Sequence, residues 1–223
     1  MRVSKRETDE SIAPASDNLR LDEERVAELL DAATEVFLEH GFEGASTNDI
    51  ARRANCSKTT LYSRFPAKQD LFIAVLERRT EAIFKQVFTA LPADGPIEDA
   101  LIEFGSRVLR ITLSDKQIRL QRVISMETER FPELSQRFFE LGPNRGYEEL
   151  SRYLNEQIKR EYLVKEDPRL MAEHLIGLIT SGPVHWTVLR VSTNLSAKDR
   201  SKRLHAAVRT FLRAYSTEHG QSS

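Results

Sequence analysis

The sequence is poor in the features that mark secreted, membrane and metal-binding proteins. Cys56 is its only cysteine, which excludes an intrachain disulfide and any metal site built from several cysteines. No run approaches about 18 apolar residues, and residues 1–20 are charged and lack the apolar segment of a signal peptide. We therefore expect a cytoplasmic protein with no membrane partner, no metal and no cofactor.

An excess of charge of one sign is also lacking. The 223 residues include 33 Lys and Arg against 34 Asp and Glu, which gives a formal net charge of -1. Such a chain has no overall polybasic character, so contact with a nucleic acid would have to come from a local concentration of positive charge.

Catalytic motifs are absent from the sequence as well. It contains no glycine-rich phosphate loop, no Gly-x-Ser-x-Gly and no His-Glu-x-x-His, and its five histidines stand apart at positions 40, 174, 185, 205 and 219. The paired Glu-x-x-His ligands of helical metal enzymes are missing too. These absences argue against an enzyme.

Helical spacing of apolar residues dominates the chain, and no segment shows the sustained period-two alternation that would indicate a β-sheet. We predict an all-α fold in which Gly41 ends the first helix, and Gly142-Pro143 and Gly182-Pro183 bend the two longest helices. The predicted helices span residues 26–41, 47–54, 58–65, 68–91, 97–113, 116–129, 132–161, 167–190 and 198–216.

The cluster Pro92-Ala93-Asp94-Gly95-Pro96 is the clearest helix-breaking segment, and we place a domain boundary there. Residues 1–20 lack periodicity and are expected to form a mobile tail. The remaining divisions that we predict are an N-terminal domain over 21–67, a connecting helix over 68–91 and a helical C-terminal domain over 92–223.

The two short helices at 47–54 and 58–65 indicate a helix-turn-helix. Helices of about two turns are marginal on their own in water, so packing must hold them together. Ala51 and Ala54 are small enough for a close approach, and Ser46 and Ser57 are potential N-caps. In a helix-turn-helix the second short helix enters the DNA major groove. The alternative is an ordinary helical hairpin with a solvated face.

The local charge agrees with a DNA contact in this region. Residues 22–49 contain nine carboxylates and one Arg, whereas residues 50–69 contain no acid. Positive charge is thus concentrated where a phosphate backbone would lie. The basic residues of the second segment are Arg52, Arg53, Lys58, Arg64 and Lys68.

On the side opposite Leu61 and Phe65, the third helix carries polar side chains that are suited to contact DNA. A threonine there can touch a thymine methyl group while its hydroxyl bonds a base or a phosphate. Thr47 and Lys68, at the starts of the second and fourth helices, could hold phosphates on either side of the groove. The candidates on the third helix are Lys58, Thr59, Thr60, Tyr62 and Arg64.

A set of residues at fixed spacing runs through residues 25–76. It consists of Leu30-Asp31-Ala32-Ala33 through Phe37, Gly41-Phe42, Ser46-Thr47, Asp49-Ile50-Ala51, Ser57-Lys58, Thr60-Leu61-Tyr62, Phe65 and Lys68 with Leu71-Phe72. With this set the chain resembles the TetR family of bacterial transcriptional repressors. The resemblance implies a homodimer with a small-molecule pocket in its C-terminal ligand-binding and dimerisation domain.

The resemblance also implies which residues touch DNA. Asn55 and Cys56 depart from the usual Gly and Val of the turn, and Arg64 from the usual aromatic residue or His, which affects the operator sequence rather than the docking in the groove. By motif position, the implied contacts are Thr47, Asn48, Lys58, Thr59, Thr60, Tyr62, Arg64 and Lys68.

The C-terminal half is similar to the AcrR- or AefR-like regulatory domains of that family, through residues 129–134, Phe138-Phe139 and the Gly142-Pro143 bend. We therefore expect a repressor that binds a palindromic double-stranded operator as a dimer and is released by an apolar or amphipathic small molecule. An architectural DNA-binding protein that needs no ligand is the alternative.

A ligand pocket in a helical domain would be lined by apolar side chains with a few polar ones. Each candidate could instead be an ordinary core residue. The candidates are Phe104, Val108, Ile111, Ile124, Met126, Glu127, Phe131, Phe138, Phe139, Tyr147 and His174.

Two apolar stripes near the C-terminus exceed what one core needs, and a dimer interface would bury the excess. They consist of Leu204, Val208, Phe211 and Tyr215, and of Leu175, Ile176, Leu178 and Ile179.

Two other features have a structural and a functional interpretation. We interpret the basic residues between Lys198 and Arg213 as a solvated helix face rather than a second nucleic-acid surface. We interpret Cys56 as a buried, inert thiol rather than a redox switch.

Overall fold

Helices are the only regular secondary structure in the part of the chain that the structure describes. The computed structural model describes residues 15–89, 91–92, 94–191 and 195–218, where no strand forms apart from an isolated bridge between Leu163 and Ser216. The predicted all-α fold is confirmed. None of the described helices combines the length and the apolar character needed to cross a bilayer. The helices are α1 (Ala15–Gly44), α2 (Thr47–Arg53), α3 (Lys58–Arg64), α4 (Lys68–Phe88), α5 (Ile97–Thr112), α6 (Asp115–Glu127), α7 (Pro132–Phe139), a π-helical segment (Glu140–Asn144), α8 (Arg145–Lys159), α9 (Pro168–Thr180), α10 (Pro183–Val188) and α11 (Ala197–Tyr215).

α1 is longer than its apolar spacing predicted. It begins at Ala15 rather than Val26, so residues 15–20, which we expected in a tail, are helical, while residues 1–14 lie outside the described residues. Apolar periodicity marks only the part of a helix that packs on a core, and it therefore missed this extension. The predicted break at Gly41 is present as a kink inside α1, because its backbone adopts φ 74° and ψ 177°, which glycine reaches without steric cost, and helical structure resumes up to Gly44.

α2 and α3 form the predicted helix-turn-helix. Ile50 of α2 and Leu61 of α3 are completely buried in one core with α1. Ser57 caps α3 as predicted, because its hydroxyl accepts a hydrogen bond from the backbone N–H of Thr60 at 3.0 Å. Ser46 precedes α2 but makes no side-chain cap bond, so that expectation was wrong.

The turn between α2 and α3 requires a left-handed backbone at Asn55, whose φ is 49°. Asparagine tolerates this conformation better than most residues with a side chain, which accounts for its presence where a glycine is usual. The N–H of Cys56 then closes the turn by donating to the carbonyl of Ala51 at 2.9 Å. Burial raises the pKa of the Cys56 thiol, which supports the inert interpretation of this cysteine.

The N-terminal domain shares its hydrophobic core with the C-terminal half. The rings of Phe37 and Phe42 lie 4.9 and 5.2 Å from the ring of Phe72 in α4, and Phe131, just before α7, lies 5.0 Å from Phe42. The breaker cluster at 92–96 therefore divides the chain without dividing this core. The buried residues that α6 and α7 contribute are Leu120, Val123, Ile124 and Leu134.

A second core lies between α5, α8, α9 and α11, around the fully buried Leu101, Leu150 and Met171. α5 crosses α9 and α11 at Gly105, where an added Cβ would lie 2.4 Å from a terminal carbon of Leu204. The small residue permits this close approach. α4 joins the two cores, because its first turns lie in one and its last turns in the other.

The second core corrects our expectation for the apolar stripes. α11 packs across α5 and α9 of its own chain. Most of the residues that we assigned to a dimer interface are therefore buried within the monomer. Leu178 is the member that stays exposed, at 43%. The members buried in the core are Leu175, Ile179, Leu204, Val208 and Phe211.

The regular α-helix is interrupted at both glycine–proline pairs where we predicted bends. Pro143 lies inside the π-helical segment that separates α7 from α8. α9 ends at Thr180, and Pro183 begins α10. A proline lacks the N–H that a continuing helix needs, so each long helical pattern is interrupted there.

The conformation of Asn55 leads to a stability prediction. Asn55→Ala should lower the free energy of unfolding by about 1 to 2 kcal/mol, because alanine has no compensation for a left-handed backbone, while Asn55→Gly should change it little. Chemical denaturation of the full chain followed by circular dichroism measures both, with Asn48→Ala on α2 as an exposed control. Equal losses for alanine and glycine would contradict the backbone constraint.

Candidate nucleic-acid interface and ligand cavity

α3 presents a polar face that no described residue covers. Leu61 points into the core with no exposed surface, and the predicted donors lie on the opposite side. Asn48 of α2 is exposed beside them and Thr47 is half-buried. A helix of this width fits the major groove of B-DNA. The exposed residues of α3 that we predicted to contact DNA are Lys58, Thr59, Thr60, Tyr62 and Arg64.

Thr47 and Tyr62 are joined to each other across the two helices, with their hydroxyl oxygens 3.0 Å apart. Each hydroxyl has a single hydrogen, so one of them donates to the other. The remaining hydrogen is free to donate to an outside acceptor such as a phosphate oxygen. The pair fixes the Tyr62 ring, which is 41% exposed, against the start of α2.

Two of the basic residues near α3 are engaged with carboxylates. Arg53 donates to Glu39 of α1 at 3.0 and 2.6 Å and to Asp49 at 3.0 Å, and Arg52 also pairs with Asp49. The hydrogen bonds from Arg53 and Arg52 lower the pKa of the Glu39 and Asp49 carboxyls. The concentration of positive charge that the sequence showed is therefore partly neutralised in the fold.

Lys68 is also engaged within the chain. Its ammonium group donates to the backbone carbonyls of Glu43 at 2.9 Å and Ala45 at 3.2 Å, and lies 4.9 Å from the centre of the Phe42 ring. Lys68 thus holds the end of α1 and the residue that follows it against the start of α4. An ammonium group has three donors, so one is left for a phosphate.

The last two basic residues differ from each other. Arg64 pairs with Asp22 near the start of α1. Lys58 is exposed and forms no ion pair or hydrogen bond with any other described residue. Of the five cations that the sequence placed here, Lys58 is the one whose charge is fully available to an outside anion.

The C-terminal half contains a partly open cavity of about 340 Å³ that is lined by residues of α4 to α10 and of the π-helical segment. This volume falls in the range of small-molecule sites. Its wall is mainly apolar and contains the stacked rings of Phe84 and Phe88, 5.0 Å apart. Five of the eleven residues predicted for a pocket line it: Phe104, Val108, Ile111, Phe138 and Tyr147.

Four of the predicted apolar pocket residues lie elsewhere. Ile124 and Phe131 pack in the core that the N-terminal domain shares with α6 and α7. Met126 and Phe139 are 82% and 48% exposed at the surface. Helical spacing predicts that all four lie on or next to helices that line the cavity, but it does not predict which face of a helix lies against the cavity.

The two polar residues that we predicted for the pocket, Glu127 and His174, also lie outside the cavity. The carboxylate of Glu127 accepts a hydrogen bond from the backbone N–H of Glu43 at 3.1 Å, which ties the end of α6 to the end of α1. Nδ1 of His174 lies 2.5 Å from the hydroxyl of Tyr215 on the outer side of α9 and α11. Both side chains are held away from the cavity by contacts with distant parts of the chain.

The polar residues that do line the cavity were missed by the sequence reasoning. Arg79 of α4 contributes a guanidinium group whose Nε is shielded from solvent, and Oε1 of Gln117 in α6 is shielded as well. Burial lowers the pKa of Arg79. A signal existed, because Arg79 continues the spacing of Leu76 and Ile83 along the buried stripe of α4.

The described residues contain no group of three or more His, Cys, Asp and Glu side chains that could hold a metal ion.

Family models match both halves of the chain. Residues 29–75 match the bacterial regulatory proteins of the tetR family. Residues 99–217, more than half of the chain, match the C-terminal domain of AefR-like transcriptional repressors. Both resemblances seen in the sequence are confirmed.

A curated relative with a similar sequence is the HTH-type transcriptional activator FasR of Mycolicibacterium smegmatis. It is 42% identical over 69 residues, which cover 31% of this chain and 32% of FasR. The chain spans about half or less of the length of the curated relatives that it matches.

Solved structures match over most of the chain. A TetR-family regulator from Mesorhizobium loti has a TM-score of 0.82 at 24% identity and covers 87% of this chain and 98% of its own. The flavonoid-responsive regulator FrrA has a TM-score of 0.76 at 28% identity and covers 88% and 99%. The chain therefore belongs to the TetR family of bacterial transcriptional regulators and has an AefR-like C-terminal domain.

Proposed function

We propose that this DNA-binding regulator is a dimeric repressor that grips a palindromic operator through α3 and releases it when an amphipathic small molecule fills the cavity. One observation carries the proposal. α4 begins at Lys68 beside the helix-turn-helix, and residues of the same helix from Arg79 to Phe88 line the cavity. A ligand in the cavity would therefore touch the helix that carries the DNA-binding domain.

The exposed face of α3 supports the DNA part of the proposal. A single seven-residue helix reads too few base pairs to be selective, whereas two copies related by a two-fold axis read two half-sites about one or more helical turns apart. Lys58 supplies an available charge for the phosphate backbone. The hydroxyl pair of Thr47 and Tyr62 supplies a donor fixed in position.

A shallow groove between α9 and α11 supports dimerisation. Its floor contains small residues that would let the helices of a second copy approach closely, and Leu178 stands exposed at its edge. The same groove on two copies can form the self-complementary contact of a two-fold dimer. The small residues are Gly177, Ser181, Thr210 and Ala214.

Two connections would carry a ligand signal to α3. Arg137 and Arg145, on either side of the π-helical segment, pair with Glu77 at 2.8 Å and Glu81 at 2.9 Å and clamp α4. Leu120 of α6 lines the cavity and also belongs to the core shared with α1, α2 and α3. A small rotation of α4 or α6 in both subunits would change the spacing of the two α3 helices.

The direction of control and the kind of effector are supported by the relatives. The C-terminal family model describes repressors and covers more than half of the chain, whereas the match to the activator FasR covers 31% of it. FrrA is flavonoid-responsive, and the cavity here has several aromatic rings in its wall. Together they favour repression and an amphipathic effector.

An architectural DNA-binding protein remains the alternative, since it would share the helix-turn-helix. It would show no operator preference and no response to ligands. The cavity with a shielded arginine favours the regulator, because a purely architectural protein has no use for it.

The charge of Lys58 leads to a prediction about salt. Lys58→Ala should weaken binding to all sequences about equally and reduce the slope of log K against log salt by about 0.9 per lost phosphate contact, hence by about two for a dimer. Fluorescence anisotropy with operator and scrambled duplexes over a salt series measures this. Lys198→Ala on α11 is the exposed control and should leave the slope unchanged.

Two further variants sharpen that experiment. Thr59→Ala should alter base preference, with a cost of about 1 to 3 kcal/mol per disrupted base contact. Lys68→Ala should reduce both the salt slope and the thermal stability, since Lys68 also holds the carbonyls of Glu43 and Ala45. If Lys58→Ala changes base preference at an unchanged slope, its assignment to the phosphate backbone is wrong.

The groove between α9 and α11 leads to a prediction about assembly. Leu178→Glu should convert the dimer into monomers at micromolar protein in analytical ultracentrifugation, because it places charge in the apolar contact. Met126→Glu, at an exposed position of α6, should leave the dimer intact. A monomeric wild-type protein, or selected operators without inverted symmetry, would contradict the dimer.

Ligand control leads to a reciprocal prediction. A cavity ligand should weaken operator binding roughly 5- to 150-fold, a coupling of about 1 to 3 kcal/mol, and operator DNA must weaken ligand binding by the same factor. Calorimetry of one compound with and without operator tests this.

Gly146→Leu should abolish the response by filling the cavity while operator binding persists, since Gly146 lines open space. A response that survives this substitution would place the ligand elsewhere.

A further inference from the structure

The wall of the cavity contains one formal charge. Among the described residues that line it, Arg79 is the single ionisable side chain with a charge at neutral pH, and no carboxylate is present. Its Nε is closed off from solvent without a hydrogen-bond partner. A guanidinium group stays protonated in proteins, so this charge persists within a mainly apolar wall.

The acids nearest to Arg79 on α4 are already engaged. Glu77 pairs with Arg137 and Glu81 pairs with Arg145, and both lie on the other side of the helix from Arg79. Arg78, the preceding residue, turns toward α1, where it donates to Asp31 and to the carbonyl of Ala27. Arg79 is therefore left without a counter-charge from the described part of the chain.

The charge of an occupant follows from this arrangement. One guanidinium balances one negative charge, and its planar fork matches the two oxygens of a carboxylate. A phosphate ester carries about -1.5 to -2 at neutral pH, so a single guanidinium in the wall would leave part of that charge without a partner. The observations thus favour a monocarboxylate over a phosphate ester or a neutral molecule.

A second shielded polar atom lies in the same wall. Oε1 of Gln117 has no hydrogen-bond partner among the described residues. The two ends of an amide exchange by rotation about its terminal bond, so Gln117 can donate to an anion or accept from a hydroxyl group. Arg79 and Gln117 come from α4 and α6, the two helices that also pack on the N-terminal domain.

The rest of the wall sets the size and character of the occupant. A volume of about 340 Å³ corresponds to roughly eleven liquid waters, which suits a ligand of about that many non-hydrogen atoms. The rings of Phe84, Phe88 and Phe104 follow one another along the wall, with neighbouring centres 5.0 and 5.6 Å apart. Such rings pack well against an aryl group or an alkyl chain.

We propose that the cavity binds an amphipathic monocarboxylate, with its carboxylate against Arg79 and Gln117 and its aryl or alkyl body among the aromatic rings. This inference rests on the proposed ligand control and names the class of effector. The carboxylate would pull on α4 one residue away from the Arg78 contacts with α1. Ligand binding would thereby act directly on the helix that positions α3.

The first experiment uses the wild-type chain and matched ligands. Octanoate, decanoate, phenylpropanoate and naphthoate are each compared with their primary amides by calorimetry at neutral pH. At least one carboxylate should bind about tenfold or more tightly than its amide, the effect expected for a hydrogen bond to a charged group. Equal binding of acids and amides, or no binding by any acid of the panel, would overturn the proposal.

Two further ligands test the charge. Decyl phosphate should bind no more tightly than decanoate, since its second charge lacks a partner. Flavone should not displace the best carboxylate. Tighter binding of decyl phosphate, or displacement by flavone at an equal concentration, would contradict a monocarboxylate site.

Variants then locate the carboxylate. Arg79→Gln should reduce carboxylate affinity about tenfold or more and abolish the preference for acids over amides. Arg110→Gln, the same change at an exposed position of α5, should leave both unchanged. A preference for acids that persists in Arg79→Gln would overturn the assignment.

Failure of this inference is separable from failure of the proposed function. Operator binding by the unliganded protein is measured without any carboxylate, and calorimetry of the carboxylates is measured without DNA. If flavone or an amide releases the operator and acids do not, ligand control stands and the monocarboxylate is excluded.

Discussion

The packing of Phe42 between Phe37, Phe72 and Phe131 is the contact on which the rest of the structure depends. Two helices of seven residues cannot persist in water without a core beneath them. Here the core is completed by α6 and α7, from the far side of the chain's clearest breaker segment. The C-terminal domain thus contributes to the core that supports α2 and α3.

In the proposed control by a ligand, this shared core would let α4 and α6 transmit a signal over a long distance. Close-packed interiors do not deform gradually, so a displacement of Leu120 at the cavity wall must be accommodated in the core below α2 and α3. Arg78 and Arg79 give α4 a similar double role. They lie about 100° apart around the helix, one facing α1 and the other facing the cavity.

Most of the helical architecture was predictable from the sequence, because apolar spacing, glycine and proline report on local structure. The breaks at Gly41, Pro143 and Pro183 and the helix-turn-helix all follow from such local signals. The residues that line the cavity could not be predicted from such local signals. Phe131 and Phe138 both pack against the core shared with the N-terminal domain, but Phe138 also lines the cavity and Phe131 does not. Only the relative placement of distant helices distinguishes them.

The charge on the DNA-binding face was the least predictable feature, since the carboxylates of α1 lie far from α3 in sequence. Glu39 and Asp22 pair with Arg53 and Arg64, so these arginines gain less from a phosphate than a free cation would. Each must leave, or share, a carboxylate to reach DNA. In the proposed contact with DNA, binding to arbitrary duplexes would be weakened accordingly, and stable attachment would depend on the fit of α3 in the groove. In a chain of net charge -1, this arrangement would exchange general attraction to DNA for selectivity.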